Sequence, residues 1–437
     1  MNLQLPRPIT EDPEPSPGQA RRTILLLSAC VALVMTGFGI IMPVFPRRLA
    51  ELGAGVEVLG LMTTAFMLAH FIAAPFMGSL ADRIGRKPII LLSLLAFAVA
   101  NLGYLLVSSV EAFILVRALQ GALTAGLYPS AMAMVGDLFP REERARWVGI
   151  VSASYMAGFI FGPAIGGFMY DAFGFAAPFA VSAVIATLGL VMVVVMVPET
   201  RTRQVRDRER RQKDEAVEQE SFWASLPRPL TVFGALLFID FIIVFSFAFI
   251  EPEMVFYAYD DLGWTTSQFG IVVGVYALVT AVGQLAAGPI SDRFARKPVI
   301  IAGILLNSAF YIGLVFASEF YMMLIVAVIS GAGEALLMPA LSAYYLDIAG
   351  ERHRSRVMGL KESSAALGGV LGPLLIVVGS GVLGPYGVFM VAFLLSLAAA
   401  VVAMVFLRLP QQPALQSQEE VAGLGASAAA PGGGISK

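Results

Sequence analysis

Apolar positions fall along this chain in long blocks rather than in the short alternating or one-faced patterns of elements that meet water on one side. The blocks cover about 24–46, 58–80, 88–108, 112–136, 147–170 and 176–197, then 230–257, 265–290, 298–317, 320–348, 356–379 and 384–407. Each is about as long as the ~20 residues a helix needs to cross a ~30 Å hydrocarbon layer. Lipid offers no partner to backbone N–H and C=O groups, so each block predicts a helix that satisfies its own backbone. The expected fold class is an all-α integral membrane protein with twelve transmembrane helices.

Composition agrees: 58% of the 437 residues are hydrophobic and 14% charged, against about 45–50% and 25% in soluble domains. A net charge of −2 excludes a strongly basic nucleic-acid binder. One cysteine, Cys30, and two histidines, His70 and His353, leave no disulfide scaffold and no metal set. No phosphate loop or ATPase motif occurs, so neither a cofactor nor an enzyme activity is expected. The polar stretches divide the chain into a disordered tail at 1–22 without the features of a signal peptide, a first bundle at 23–197, a charge-dense linker at 198–229, a second bundle at 230–408 and a mobile tail at 409–437.

Basic residues set the orientation. With the N-terminus inside, 25 of the 29 Lys and Arg fall on inner segments, Arg47 and Arg48 fall outside, and Arg117 and Lys361 lie within spans. Both termini are therefore expected in the cytoplasm. No Asn-X-Ser/Thr acceptor is present, and a bacterial inner membrane and a monomer are the expectation.

A repeat at a constant offset of 210 residues organises these helices. GSLADRIGRKP from Gly78 matches GPISDRFARKP from Gly288, and RWVGIVSASYMAGFIFGP from Arg146 matches RVMGLKESSAALGGVLGP from Arg356. Gly121 pairs with Gly331, Pro129 with Pro339 and Asp137 with Asp347. An offset of six spans gives both bundles the same topology, hence a pseudo-two-fold axis along the membrane normal and a cavity at the interface.

On these residues the chain resembles the major facilitator superfamily, in its twelve-span drug:proton antiporter branch. GSLADRIGRKP is similar to that superfamily's loop motif between helices two and three. Ile114, Arg117, Gln120 and Gly121 resemble its helix-four motif. Gly149, Gly158, Gly162, Pro163, Gly166 and Gly167 resemble the antiporter motif of helix five. The resemblance implies the major facilitator fold, export of a small molecule against protons, and a proton-relay role for Arg117. A structural salt bridge is the alternative for Arg117, which cannot itself give up its proton.

The residues carry chemistry of their own. Asp82, Arg83, Arg86 and Lys87, with Asp292 and Arg293 at the repeat position, can pair across helices as an inner gate; the basic ones also suit a purely topological role. Gly158, Gly162, Gly166 and Gly167 permit close helix approach, Pro163 removes a donor, and Gly372 and Pro373 repeat the pattern as a hinge. Charges inside the membrane cost a few kcal/mol or more and mark functional sites. Asp240, Val244, Phe247 and Glu251 share one face of the seventh span, which predicts an acidic cavity wall opposite Phe238, Phe241, Phe245 and Phe249. Glu251 and Glu253 also suit solvated rim positions. Glu334, next to Gly331 and Gly333 in the tenth span, is the leading candidate for proton coupling or substrate contact, because an apolar setting favours a neutral carboxyl. Arg117, Gln120, Thr124 and Tyr128 share one face of the fourth span, and Tyr128 and Phe247 can stack on a cationic ligand. Lys361 and Glu362 read as snorkelling structural residues, and His70 as either a titrating or a core histidine. The first span holds no acid, which excludes coupling there.

The expected partners are a small-molecule substrate, the proton and the lipid bilayer. The expected function is proton-coupled export of lipophilic, cationic compounds by alternating access. Export of a sugar, metabolite or lipid-like molecule, or a transporter-like receptor, remains open from the sequence.

Overall fold

The structure is a computed structural model that describes residues 17–200, 226–293, 295–316, 319–349 and 354–407; for 286–293 it describes the backbone alone. Most of the expected N-terminal tail and linker, the expected C-terminal tail and His353 lie outside these residues. The described chain is helical, with no strand among the described residues. Eleven helical stretches among the described residues are long and apolar enough to cross a membrane, some of them made of two consecutive helices.

The first segment holds α1 (Pro17–Ile41), α2 (Phe45–Glu51), α3 (Val56–Ile84), α4 (Arg86–Leu106), α5 (Val110–Thr124), α6 (Leu127–Leu138), α7 (Arg141–Phe173) and α8 (Ala176–Met196). The second holds α9 (Leu230–Phe256), a π-helical turn at Tyr257–Asp261, α10 (Thr266–Arg293), α11 (Arg296–Phe316), α12 (Phe320–Ile348) and α13 (Arg354–Phe406). Side chains that water would expel cover the outer faces: Leu106, Val195 and Val382 are each at least three-quarters exposed, and exposed apolar surface of this extent requires lipid.

Element ends follow local chemistry. α1 begins at Pro17, within the expected tail, where proline lacks a donor the helix would leave unpaired anyway. The Ser109 hydroxyl caps α5 by accepting from Ala112 N–H at 3.4 Å. Gly85, Gly174 and Gly384 turn the chain at positive φ. At Gly384 (φ 62°, ψ 175°) the backbone leaves the helical region, so the 53-residue α13 is two helices meeting at a break. The fourth apolar block is also interrupted, between α5 and α6 at Ala125 and Gly126.

Within each segment the helices pack chiefly on their own neighbours: α1 on α7 and α8, α3 on α5, and α4 on α8; then α9 on α13, and α12 on α10 and α11. Ile24, Leu27 and Val31 of α1, with Leu94 of α4 and Val193 of α8, form one buried core. Two helix pairs do most of the joining between the segments, α7 with α10 and α3 with α13, and α9 adds smaller contacts to α3 and α2. The glycines of α7 make its close packing possible. A Cβ at Gly158 or Gly166 would collide with the α1 backbone at Met35 or Ile40, and one at Gly162 would stand 2.6 Å from Gly39. A Cβ at Gly167 would strike the carbonyl of Thr266 on α10. One stripe thus lets α7 touch helices on both its sides. Gly149 meets nothing within 4 Å. Gly372 lies against α9, its would-be Cβ 2.7 Å from Phe249 N.

Candidate functional site

Four groups of residues matter, and they lie at three depths. At the end carrying Gly85, called proximal here, the loop motif ties helices of one segment together. Asp82 and Arg86 pair at 2.7 Å, and Arg86 reaches Asp137 of α6 at 3.6 Å. Gly85 adopts φ 115°, a conformation open in practice to glycine alone. There the N–H groups of Arg86 and Lys87 both donate to Glu199, each at 3.0 Å. Lys87 Nζ donates to the Val194 carbonyl at 2.9 Å. Arg83 stands in the last turn of α3. The second segment repeats the arrangement: Arg296 pairs with Asp347 at 2.6 Å, and Lys297 donates to Met404 O at 2.6 Å. Asp292 and Arg293 lie at the end of α10, where side chains are not among those described.

Halfway along the helices of the second segment, the structure gathers polar groups into apolar surroundings. Asn307 of α11 donates through its amide to Glu334 Oε2 at 3.2 Å and to the Tyr276 hydroxyl at 3.0 Å. Asp240 of α9, 1% exposed, faces Lys361 of α13 at 3.9 Å. Lys361 Nζ also reaches Glu362 Oε1 at 3.3 Å. Both Asp240 and Lys361 lie within electrostatic reach of Glu334. The Tyr345 hydroxyl stands beside Asp240 without a well-formed hydrogen bond, and Asp240 Oδ2 has no partner. Lys361 is 8% exposed, with its ammonium between the buried Asp240 carboxylate and the exposed Glu362 carboxylate. On the same helix, Phe241, Phe245 and Phe249 stack at 5.5 and 5.7 Å and line an apolar cleft of about 480 Å³ against α13. Phe247 is 37% exposed.

The first segment places a cation where the second places acids. Arg117 of α5 is 8% exposed, donates to Gln120 Oε1 at 2.9 Å, and lies 4.3–5.1 Å from the ring centres of Phe38, Phe45 and Phe66. The rings' electron-rich faces and one amide hold the guanidinium. Tyr104 donates to the same Gln120 oxygen at 2.9 Å, Thr124 to the Gln120 carbonyl at 2.7 Å, and Tyr128 shares a hydrogen bond with Ser152 at 3.1 Å. Glu251 of α9 is half-buried within electrostatic reach of Arg117. His70 stacks on Phe66 at 5.9 Å.

At the opposite, distal end the two segments are joined. Asp171 of α7 accepts from the N–H and hydroxyl of Ser267 on α10 at 2.8 and 2.5 Å. Glu57 of α3 accepts from Ser380 of α13 at 2.9 Å. Arg47 donates to Trp264 O at 2.8 Å and lies over the Tyr259 ring at 3.9 Å, while Tyr259 donates to Pro43 O at 2.6 Å. Each of the two main helix pairs that join the segments is thus latched by one carboxylate of the first and one serine of the second. The sequence reading missed these residues and Asn307, since none stands out by motif or by charge inside a span.

This arrangement of two similar helical segments, seamed along α3 with α13 and α7 with α10, can be compared with known proteins. The Major Facilitator Superfamily model matches residues 27–256 and 236–430. The chain belongs to the Major Facilitator Superfamily. It is a multi-pass membrane protein of a transporter family, which implies a small-molecule substrate. Among its relatives, Multidrug resistance protein 2 of Bacillus subtilis (strain 168) is 29% identical over 82% of this chain and 88% of its own length. The class C Tetracycline resistance protein of Escherichia coli is 27% identical over 82% and 89%. Quinolone resistance protein NorA of Staphylococcus aureus (strain COL) is 26% identical over 81% and 89%. These relatives agree with the antiporter branch expected from the α7 motif. Among solved structures, a bacterial homolog of the human lysosomal transporter Spinster, in an inward-facing and occupied conformation, superposes with a TM-score of 0.74 at 16% identity, covering 90% of this chain and 97% of that one. A human organic anion transporter does so with 0.62 at 19%, covering 88% and 99%. At these identities the likeness concerns the fold.

Proposed function

We propose that this chain is a proton-coupled exporter of lipophilic, cationic small molecules, built of twelve spans in two six-helix bundles and working by alternating access. The break at Gly384 supplies the twelfth span by dividing α13. The single observation that carries the reading is the central cluster: Glu334 held by Asn307 and flanked by Asp240 and Lys361, inside apolar surroundings. A carboxyl there can be neutral or charged only as its neighbours dictate, so a substrate cation and a proton compete for it. Arg117 and Glu251 act as a second charged pair across the interface, biasing which form Glu334 adopts. Gln120, Thr124, Tyr128 and Phe247 line the path.

The distal latches support a state closed at that end and accessible from the proximal end, from which substrate is loaded. Proton arrival from the distal side displaces the cation, and the α7 and α13 glycine contacts at Gly158, Gly162, Gly166, Gly167 and Gly372, with Pro163 and Pro373, act as the rocking surfaces. The charges at Asp82, Arg83, Arg86 and Lys87 and at Asp292 and Arg293 stand at the proximal end, where pairing across the interface closes it in the opposite state. By the distribution of basic residues the proximal end is cytoplasmic, in a bacterial inner membrane, and the working unit is a monomer. The relatives named for tetracycline, quinolone and multidrug resistance support the substrate class. Export of a lipid-like compound is the second reading, favoured by the apolar cleft between α9 and α13.

The test is transport in everted vesicles with an acidic lumen, using tetraphenylphosphonium, tetracycline and a quinolone. Accumulation that a protonophore abolishes is expected for at least one of them. Accumulation of none, or accumulation untouched by the protonophore, overturns the reading.

A further inference from the structure

The distal end contains a second polar site, outside the central cluster. A cavity of about 500 Å³ opens between the first segment's turn at 50–57 and the junction where α9 becomes the π-helical turn. Its walls include Glu57 from the first segment and Glu253, Asp260 and Asp261 from the second, with the aromatic Phe256 and Tyr257 between them. No basic side chain lines it. The basic residues nearest in sequence are engaged elsewhere, Arg47 on Tyr259 and Trp264 and Arg48 with Glu51 at 2.8 Å.

Glu253 supplies an independent sign of a missing partner. It lines the cavity, is only 5% exposed, and its Oε2 forms no hydrogen bond. Glu57 and Asp261 lie within electrostatic reach and worsen its position. A buried carboxylate oxygen without a partner calls for a bound group. The local backbone is unusual as well: the π-helical turn carries Tyr257, Asp260 and Asp261, and such turns are rare and concentrate at functional sites. Among the described residues no set of three carboxylates, histidines or cysteines converges closely enough to hold a metal ion. Separated carboxylates, aromatic faces and drug-sized volume suit instead an organic ammonium group, which is bound by diffuse charge and ring faces.

We propose that this cavity is a peripheral binding site for an organic cation, and that the ligand ties the two segments together at the distal end. The tie follows from the walls: Glu57 belongs to one segment and Glu253, Asp260 and Asp261 to the other, so the site is complete only while the distal end is closed. A cation bound there holds the transporter in the state that loads from the proximal side. External cations would thereby slow the transport cycle without entering the central cluster.

The experiment uses the full chain in detergent, with spin labels at Ser108→Cys and Val382→Cys on a Cys30→Ala background and tetraethylammonium as the probe. Binding is followed by calorimetry and distal separation by the distance between labels. The expected result is a shift of the distance distribution toward the short state, with binding weakened at least about tenfold in Glu57→Gln and in Glu253→Gln, and with the shift itself lost in those two variants and kept in Glu334→Gln. Asp261→Asn replaces Glu253→Gln if that variant fails to fold. Loss of binding in Glu334→Gln with none in the distal variants would assign the cation to the central cluster and overturn the proposal. No shift with tetraethylammonium, or the same shift with magnesium or calcium chloride at equal concentration, would also overturn it. Transport in everted vesicles is read separately, so the export reading and this one can fail independently.

Discussion

The two segments are alike at their proximal ends and different at their centres. Arg86 with Asp137 and Lys87 with Val194 O recur, 210 residues on, as Arg296 with Asp347 and Lys297 with Met404 O. At mid-depth the same offset relates Thr124 to Glu334, Cys30 to Asp240 and Val151 to Lys361, so the acids and the ammonium have no counterpart in the first segment. There a ring-caged arginine stands instead. On the proposed function, the repeated clamps hold the loops of two rocking bundles and the unrepeated charges carry the proton and cation chemistry. A symmetric scaffold thus carries an asymmetric charge site.

The largest effect that tests this division is expected at Lys361. Replacing it with methionine leaves Asp240 buried beside an apolar side chain, and removal of one partner from a buried pair costs about 3–5 kcal/mol. Thermal unfolding in detergent should show a large drop, and Lys361→Met with Asp240→Asn should recover most of it. Failure of the double variant to recover would mean that Lys361 acts through packing instead of charge.

Next comes Gly85, whose φ of 115° an alanine adopts only with strain; its Cβ would also meet the Glu199 carboxylate that receives the Arg86 and Lys87 N–H groups. Gly85→Ala is expected to destabilise by about 1–3 kcal/mol. Ala295 stands at the repeat position, so Ala295→Gly should change stability little. Equal effects of the two substitutions would show that the loops differ less than their sequences do.

The smallest effect sharpens the symmetric side of the comparison. Arg86→Ala and Arg296→Ala should each cost about 1 kcal/mol or less, because both pairs are partly exposed, and the two losses should match. A loss confined to one of them would break the likeness of the clamps.

Much of this was legible in the sequence, for physical reasons. Lipid makes each apolar block a helix, and the repeat exposes paired loops because their motifs are local. The glycine stripe of α7 was readable from spacing alone. The pairing of Asp240 with Lys361 was not, since it depends on how α9 meets α13, and a lysine one turn inside a span looks the same whether it snorkels or stays. Asn307 and the serines of the distal latches are uncharged and sit in ordinary apolar or turn sequence, so their contacts appear only once the helices are assembled. The break in the fourth block at Ala125 and Gly126 was hidden inside an unbroken apolar run.

The central claim is that Glu334 exchanges a proton for a cationic substrate. The most direct test adds tetraphenylphosphonium, which has no ionisable proton, to the purified chain in weakly buffered detergent solution and records the pH. Proton release is expected from the native chain and none from Glu334→Gln, whose neutral amide resembles the protonated carboxyl and binds the cation more weakly. Equal release from both would contradict the account.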